Sequence, residues 1–91
     1  MIYTVEFTST ALLDVDLLQQ SDPSAYSKFL SLLKELQVHP TWGTGHPEQL
    51  KGDFAGHWSR RLSKKHRLIY RVYESEVVVL VISARGHYND K

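Results

Sequence analysis

His57-Trp58-Ser59-Arg60-Arg61-Leu62-Ser63-Lys64-Lys65-His66-Arg67-Leu68-Ile69-Tyr70-Arg71-Val72-Tyr73 is the stretch whose reading decides the fold. Two runs, 57–63 and 66–73, alternate in polarity and are joined at Lys64-Lys65, the pattern of a β-hairpin. The loop length sets the register. A three-residue loop, Ser63-Lys64-Lys65, places Arg61 opposite Arg67; a two-residue loop sends them to different faces. With the longer loop, Trp58, Leu62, Leu68, Tyr70 and Val72 share one apolar face, which is the expected core face. The opposite face carries His57, Ser59, Arg61, Arg67 and Arg71.

Outward from the hairpin, residues 77–85 form the clearest strand, after a tight connection at Glu74-Ser75, and Gly86-His87-Tyr88 ends the sheet. On the other side, Glu48 to Lys51 reads as a short strand and Gly52 to Gly56 as a turn. Residues 41–47, with Gly43, Gly45 and Pro47, form a loop. Residues 2–7 are β-branched and aromatic, hence a strand. Thr8, Ser9 and Thr10 are capping residues, and Ala11, Leu12, Val15 and Leu18 recur at helical spacing. Asp22-Pro23 starts a second helix, with Tyr26, Phe29, Leu30, Leu33 and Leu36 as its apolar stripe, and Pro40 ends it. The order β-α-α-β-β-β-β predicts an α+β domain spanning residues 1–91. A helical hairpin covers one face of a mostly antiparallel, twisted sheet, and the other face is left for a ligand.

The chain has 91 residues, one domain's worth, of which 42% are hydrophobic and 11% aromatic, enough to bury a core and too apolar for disorder. Without cysteine there is no disulfide framework, thiolate metal site or cysteine nucleophile. The longest apolar run, 77–82, is far short of the ~20 residues of a membrane helix, and no basic leader opens the chain. A cytoplasmic location is expected. The net charge of +1 conceals an asymmetry. Residues 1–47 hold two basic residues against five acids, a net of −3, and residues 48–91 hold nine against five, a net of +4. The second half is the candidate for an anionic partner.

Nucleotide-binding glycine motifs and the G-x-S-x-G elbow are missing. What remains is acid–base chemistry on an anion. Arginines opposed across a hairpin repel unless an anion lies near them, and their planar forks suit phosphate. The same residues also read as an ordinary solvated basic face, and composition alone favours that plainer reading. Glu48 opens the basic half and is a candidate proton acceptor; equally, a lone glutamate is most often a surface acid. His87, with Tyr88 at the end of the last strand, is a candidate proton donor, against the reading of an exposed tail histidine. His66 borders the core. No histidine pair has helical metal-site spacing, so no metal is assigned. Trp58 belongs to the core face; Trp42 is more open and either stacks on a base or plugs one end of the sheet.

Three runs in order, His46-Pro47-Glu48-Gln49-Leu50-Lys51-Gly52, Gly56-His57-Trp58-Ser59-Arg60-Arg61-Leu62 and His66-Arg67-Leu68-Ile69-Tyr70, followed by Arg85-Gly86-His87-Tyr88, resemble the Txe/YoeB family of toxin–antitoxin toxins in the RelE-like superfamily. The likeness is close over residues 40–88. The N-terminal strand and helices match in pattern rather than in letters. It implies a RelE-like fold and a metal-independent, cofactor-free endoribonuclease that cuts mRNA in the ribosomal A site. It further implies Glu48 as general base, His87 as general acid, Arg61 and Arg67 as phosphate-binding arginines, and Tyr88 as the tyrosine that positions substrate. Lys51, Arg60, Lys64, Lys65, Arg71 and Arg85 are the additional residues expected on RNA. The implied partners are a Phd/YefM-like antitoxin, the ribosome with its mRNA, and, as an option, a second copy of the chain. Two positions depart from the pattern: Lys65 stands where some relatives carry an acid, and Gly86 where a bulkier residue is common. The alternatives are a module that binds RNA or an acidic antitoxin segment without cutting, and a co-repressor that has lost catalysis. New mRNA ends at discrete codons distinguish the enzyme from both.

Overall fold

Alternation and turn chemistry settle into a five-stranded sheet of order β1-β5-β4-β3-β2 in the computed structural model, which describes residues 1–86. His87 and Tyr88 lie outside the described residues. The elements are β1 (Thr4–Phe7), α1 (Ser9–Ser21), α2 (Pro23–Val38), β2 (Glu48–Gln49), a single 3₁₀ turn (Gly52–Phe54), β3 (Trp58–Arg61), β4 (Arg67–Tyr73) and β5 (Val78–Ser83). The expected order of strands and helices is reproduced. All pairings are antiparallel except β1 with β5, which is parallel.

The helix boundaries follow from their caps. The Thr8 hydroxyl accepts from the Ala11 N–H (3.1 Å) and donates to the Ile82 carbonyl (2.8 Å), so one side chain starts α1 and ties it to β5. Asp22 accepts from the Ala25 N–H (3.2 Å), with Pro23 at the first helical position of α2. The buried positions of the helices are Ala11 and Leu18 in α1 and Ala25, Phe29, Leu32 and Leu36 in α2. The expected stripes are corrected in two places: Leu12 and Leu30 are exposed at 56% and 44%, because the inward face of α1 is carried by the expected Ala11 and Leu18, and that of α2 takes in Leu32, outside the expected stripe. Fully burying leucines such as Leu18, Leu32 and Leu36 contributes roughly 1.5–3 kcal/mol each.

The hairpin adopts the three-residue loop. The Ser63 hydroxyl accepts from the N–H groups of Lys65 and His66, both at 3.2 Å, and so holds the turn that puts Arg61 opposite Arg67. Two other connections differ from expectation. The β4–β5 turn runs from Glu74 to Val77, with Val77 in the left-handed region at φ 56°, so β5 begins at Val78. In β5, Tyr70 pairs with Val81 but Ile69 pairs with Ser83, a bulge that leaves Ile82 extra. The bulge flips the pleat: Val79, Val81 and then Ala84, rather than Ser83, are fully buried.

Candidate active site

The uncovered face of the sheet gathers the chemistry. On β3 and β4 the register is Trp58↔Tyr70, Ser59↔Ile69, Arg60↔Leu68 and Arg61↔Arg67. Trp58, Arg60, Leu62, Leu68 and Tyr70 therefore point to the helices, and Ser59, Arg61, Arg67, Ile69 and Arg71 point away. β2 adds Glu48 opposite Ser59, extending that row at the edge of the sheet. This placement depends on the loop before β2. The Gly45 carbonyl accepts from the Arg61 N–H at 2.7 Å, and a side chain on Gly45 (φ 85°) would meet the Arg61 carbonyl at 3.1 Å. Only glycine lets the loop lie so close to the hairpin.

The result is a carboxylate beside opposed arginines. A Glu48 carboxylate oxygen lies 3.9 Å from Arg67 Nη1. Glu48 is half exposed, while the Arg67 side chain is 17% exposed, so one end of this pair is open to a ligand and the other is held in place. Glu48 supplies the counter-charge that the Arg61–Arg67 juxtaposition requires. Arg61 is exposed, and the guanidinium of Arg71 lies 5.5 Å from the centre of the Tyr73 ring. Ser59 is fully buried in the Glu48 row, and its hydroxyl has no hydrogen-bond partner among the described residues. Alternation already places Ser59 on this face; its burial and its position opposite Glu48 emerge only from the structure.

Lys51, Lys64, Lys65 and Arg85 are exposed: Lys51 follows β2, the two lysines sit at the hairpin tip, and Arg85 follows β5. The structure brings Glu48, Arg61 and Arg67 together; the roles expected of His87 and Tyr88 fall outside the described residues. Trp58 packs against the core, as alternation implied, whereas Trp42 is 64% exposed and stacks on the His39 ring with centroids 4.1 Å apart.

Arg60 is the correction. It was expected on RNA, yet it is fully buried on the core face. Its five N–H donors make five hydrogen bonds: Nε to the Tyr70 hydroxyl (3.0 Å), Nη1 to Glu35 (2.8 Å) and the Thr44 carbonyl (3.2 Å), and Nη2 to the carbonyls of His39 (2.8 Å) and Trp42 (3.0 Å). A buried guanidinium is tolerated only when so completely paired. The Tyr70 hydroxyl donates onward to the Pro40 carbonyl at 2.7 Å. Burial pushes the Tyr70 phenol above its ordinary value, against the lowering influence of Arg60. Burial would likewise raise Glu35, but hydrogen bonds from Thr44 and then Arg60, with the Arg60 charge, outweigh it and hold the carboxyl below its ordinary value. Arg60 thus serves as the template around which residues 39–44 fold, and that loop leads directly to Glu48.

Comparison with known proteins places this arrangement in a family. Residues 7–88 match the family described as YoeB-like toxin of bacterial type II toxin–antitoxin system. The Toxin YoeB of Synechocystis sp. is 36% identical over 84 residues, 92% of this chain and 95% of that protein. The YoeB/ParE toxin from Agrobacterium tumefaciens superposes with a TM-score of 0.86 at 38% identity, covering 93% of this chain and 99% of that one. The Staphylococcus aureus YoeB superposes with a TM-score of 0.80 at 30% identity in its complex with YefM and 0.82 at 31% as a dimer; each covers 97% of this chain and all of that one. The chain belongs to the YoeB-like toxins of bacterial type II toxin–antitoxin systems.

Proposed function

We propose that this toxin is a ribosome-dependent endoribonuclease that blocks translation by cutting mRNA in the A site. One juxtaposition supports the reading: a Glu48 carboxylate 3.9 Å from Arg67, with Arg61 directly across the hairpin from Arg67. In the proposed reaction, Glu48 takes the proton of a ribose 2′-OH. The freed oxygen attacks the adjacent phosphorus, and the bond from phosphorus to the 5′-oxygen breaks. Arg61 and Arg67 stabilise the negative charge that develops on the phosphoryl oxygens. His87 is proposed to give its proton to the departing 5′-oxygen, with Tyr88 positioning the substrate. The products are a 2′,3′-cyclic phosphate and a 5′-hydroxyl.

The Staphylococcus aureus relative's complex with YefM supports an antitoxin as the partner that silences the site. A flexible acidic segment that folds on binding suits the Arg61–Arg67 face. The dimer of the same relative supports self-association of the free toxin.

The test is cleavage on translating ribosomes with the 2′-OH at the scissile position replaced by hydrogen. The expected result is discrete mRNA ends with the ribose substrate and none with the deoxy substitution. Persistent cleavage of the deoxy substrate overturns the mechanism, and protection without new ends overturns the enzyme.

A further inference from the structure

The hairpin end holds a second histidine arrangement that the proposed chemistry does not use. His66 lies just before β4, its side chain 14% exposed. Its Nδ1 is 3.0 Å from the Gly86 N–H. A backbone N–H can only donate, so Nδ1 acts as the acceptor and the neutral ring carries its proton on Nε2. Nε2 in turn faces Asp22 Oδ2 at 3.7 Å, too long for a hydrogen bond. Asp22 is the residue that caps α2, and it uses its other oxygen, Oδ1, for that purpose. The ring is thereby oriented from the helical layer. The next residue completes the grip: the Arg67 N–H donates to the Gly86 carbonyl at 3.0 Å. Both backbone groups of Gly86 are held by consecutive residues of one strand end, and Gly86 sits in the left-handed region at φ 71°.

The residue so clasped is the one from which His87 and Tyr88 continue. Arg67 is also the arginine beside Glu48. We infer that His66 is a positioning residue: it clasps the Gly86 peptide and so fixes the direction in which the chain departs toward its proposed general acid. The inference rests on the nuclease reading above. It assigns His66 no contact with RNA and no proton transfer.

Two isosteric replacements separate positioning from mere packing. In His66→Asn the amide oxygen occupies the place of Nδ1 and can still accept from Gly86. In His66→Gln the amide reaches the place of Nε2, toward Asp22, and leaves the Gly86 N–H without an acceptor. The clasp is read directly by hydrogen exchange of the Gly86 amide in the free toxin by NMR, and its consequence by single-turnover cleavage on programmed ribosomes. The expected result is a protected Gly86 amide in wild type and His66→Asn and rapid exchange in His66→Gln. The His66→Gln cleavage rate constant should fall about 10–100-fold, with apparent ribosome affinity and thermal midpoint near wild type. His66→Asn should recover to within a few-fold. A freely exchanging Gly86 amide in wild type overturns the clasp. Equal cleavage by both variants, or a loss in His66→Gln that lies wholly in ribosome affinity or thermal midpoint, overturns the positioning role. A wild-type protein that leaves no cut ends, with its Gly86 amide protected, overturns the nuclease reading and the catalytic part of this inference while leaving the clasp intact.

Discussion

Arg60 and Arg61 are neighbours in sequence, identical in type, and opposite in circumstance. One is sealed under the helices with every donor engaged; the other stands on the open face across from Arg67. The pleat of β3 alone separates them. What differs is the work asked of the charge. Arg60 organises backbone: it collects three carbonyls, a carboxylate and a phenol into one knot. Arg61 keeps its charge available for a ligand. A basic residue in a binding protein is therefore read first by its parity in the strand and only then by its charge.

The sharpest way to break the contrast is to truncate each arginine in turn. Arg60→Ala leaves Glu35 and several carbonyls without their partner. It should cost about 3–5 kcal/mol of stability, the scale of a broken buried charge network, read by urea denaturation. Arg61→Ala should leave stability within about 0.5 kcal/mol, since it is exposed and relieves a like-charge pair. If the proposed chemistry holds, it should instead lower cleavage about 10²–10³-fold. An Arg61→Ala protein that unfolds while Arg60→Ala remains folded would reverse the assignment.

A subtler probe uses pH. Glu35 titrates below its ordinary value of 4.5 when folded, so its contribution is complete above that value and disappears as pH falls through the lower folded pKa. Tyr70 titrates above 10.0 when folded, so its contribution is complete below that value and is lost as pH rises through the higher one. The Arg60 knot should therefore weaken at both ends of the scale. Glu35→Gln should flatten the acid limb of the stability profile, measured by denaturation between about pH 5 and pH 3. An unchanged acid limb would mean that the knot does not depend on the carboxylate charge.

The smallest effect lies outside the comparison and serves as its control. Val77 is β-branched at φ 56°, a conformation that costs a residue of its kind about 1–2 kcal/mol. Val77→Gly should relieve most of this and raise the thermal midpoint slightly, with cleavage unchanged.

The hairpin was legible from the alternation on either side of Lys64-Lys65, but its register was not: the sequence permits a two- or a three-residue loop, and the Ser63 hydroxyl that closes the longer one shows only in the structure. The helix starts were legible from Thr8, Asp22 and Pro23. Arg60 was misassigned although the same alternation, with Trp58 and Leu62 on either side, marks it as inward; its charge argued louder than its parity. Its partners Glu35, His39, Trp42 and Thr44 lie 16–25 positions away and carry no local pattern that announces them. The bulge at Ile82 and the αL turn at Val77 were hidden for a related reason. Both residues read as ideal strand formers, and only the packing of Ala84 and the closing of the turn override that propensity. The Glu48–Arg67 contact required the register of three strands, which no single motif encodes.

The parallel pairing of β1 with β5 carries a last consequence. The Thr8 bond to Ile82 bridges 74 positions, so β1 is completed by a strand made long after it. As the polypeptide emerges during its own synthesis, β1 remains an unsatisfied edge until β5 has cleared the exit tunnel. The molecule therefore assembles late, and a truncated product that stops before residue 78 lacks the strand that its own beginning needs.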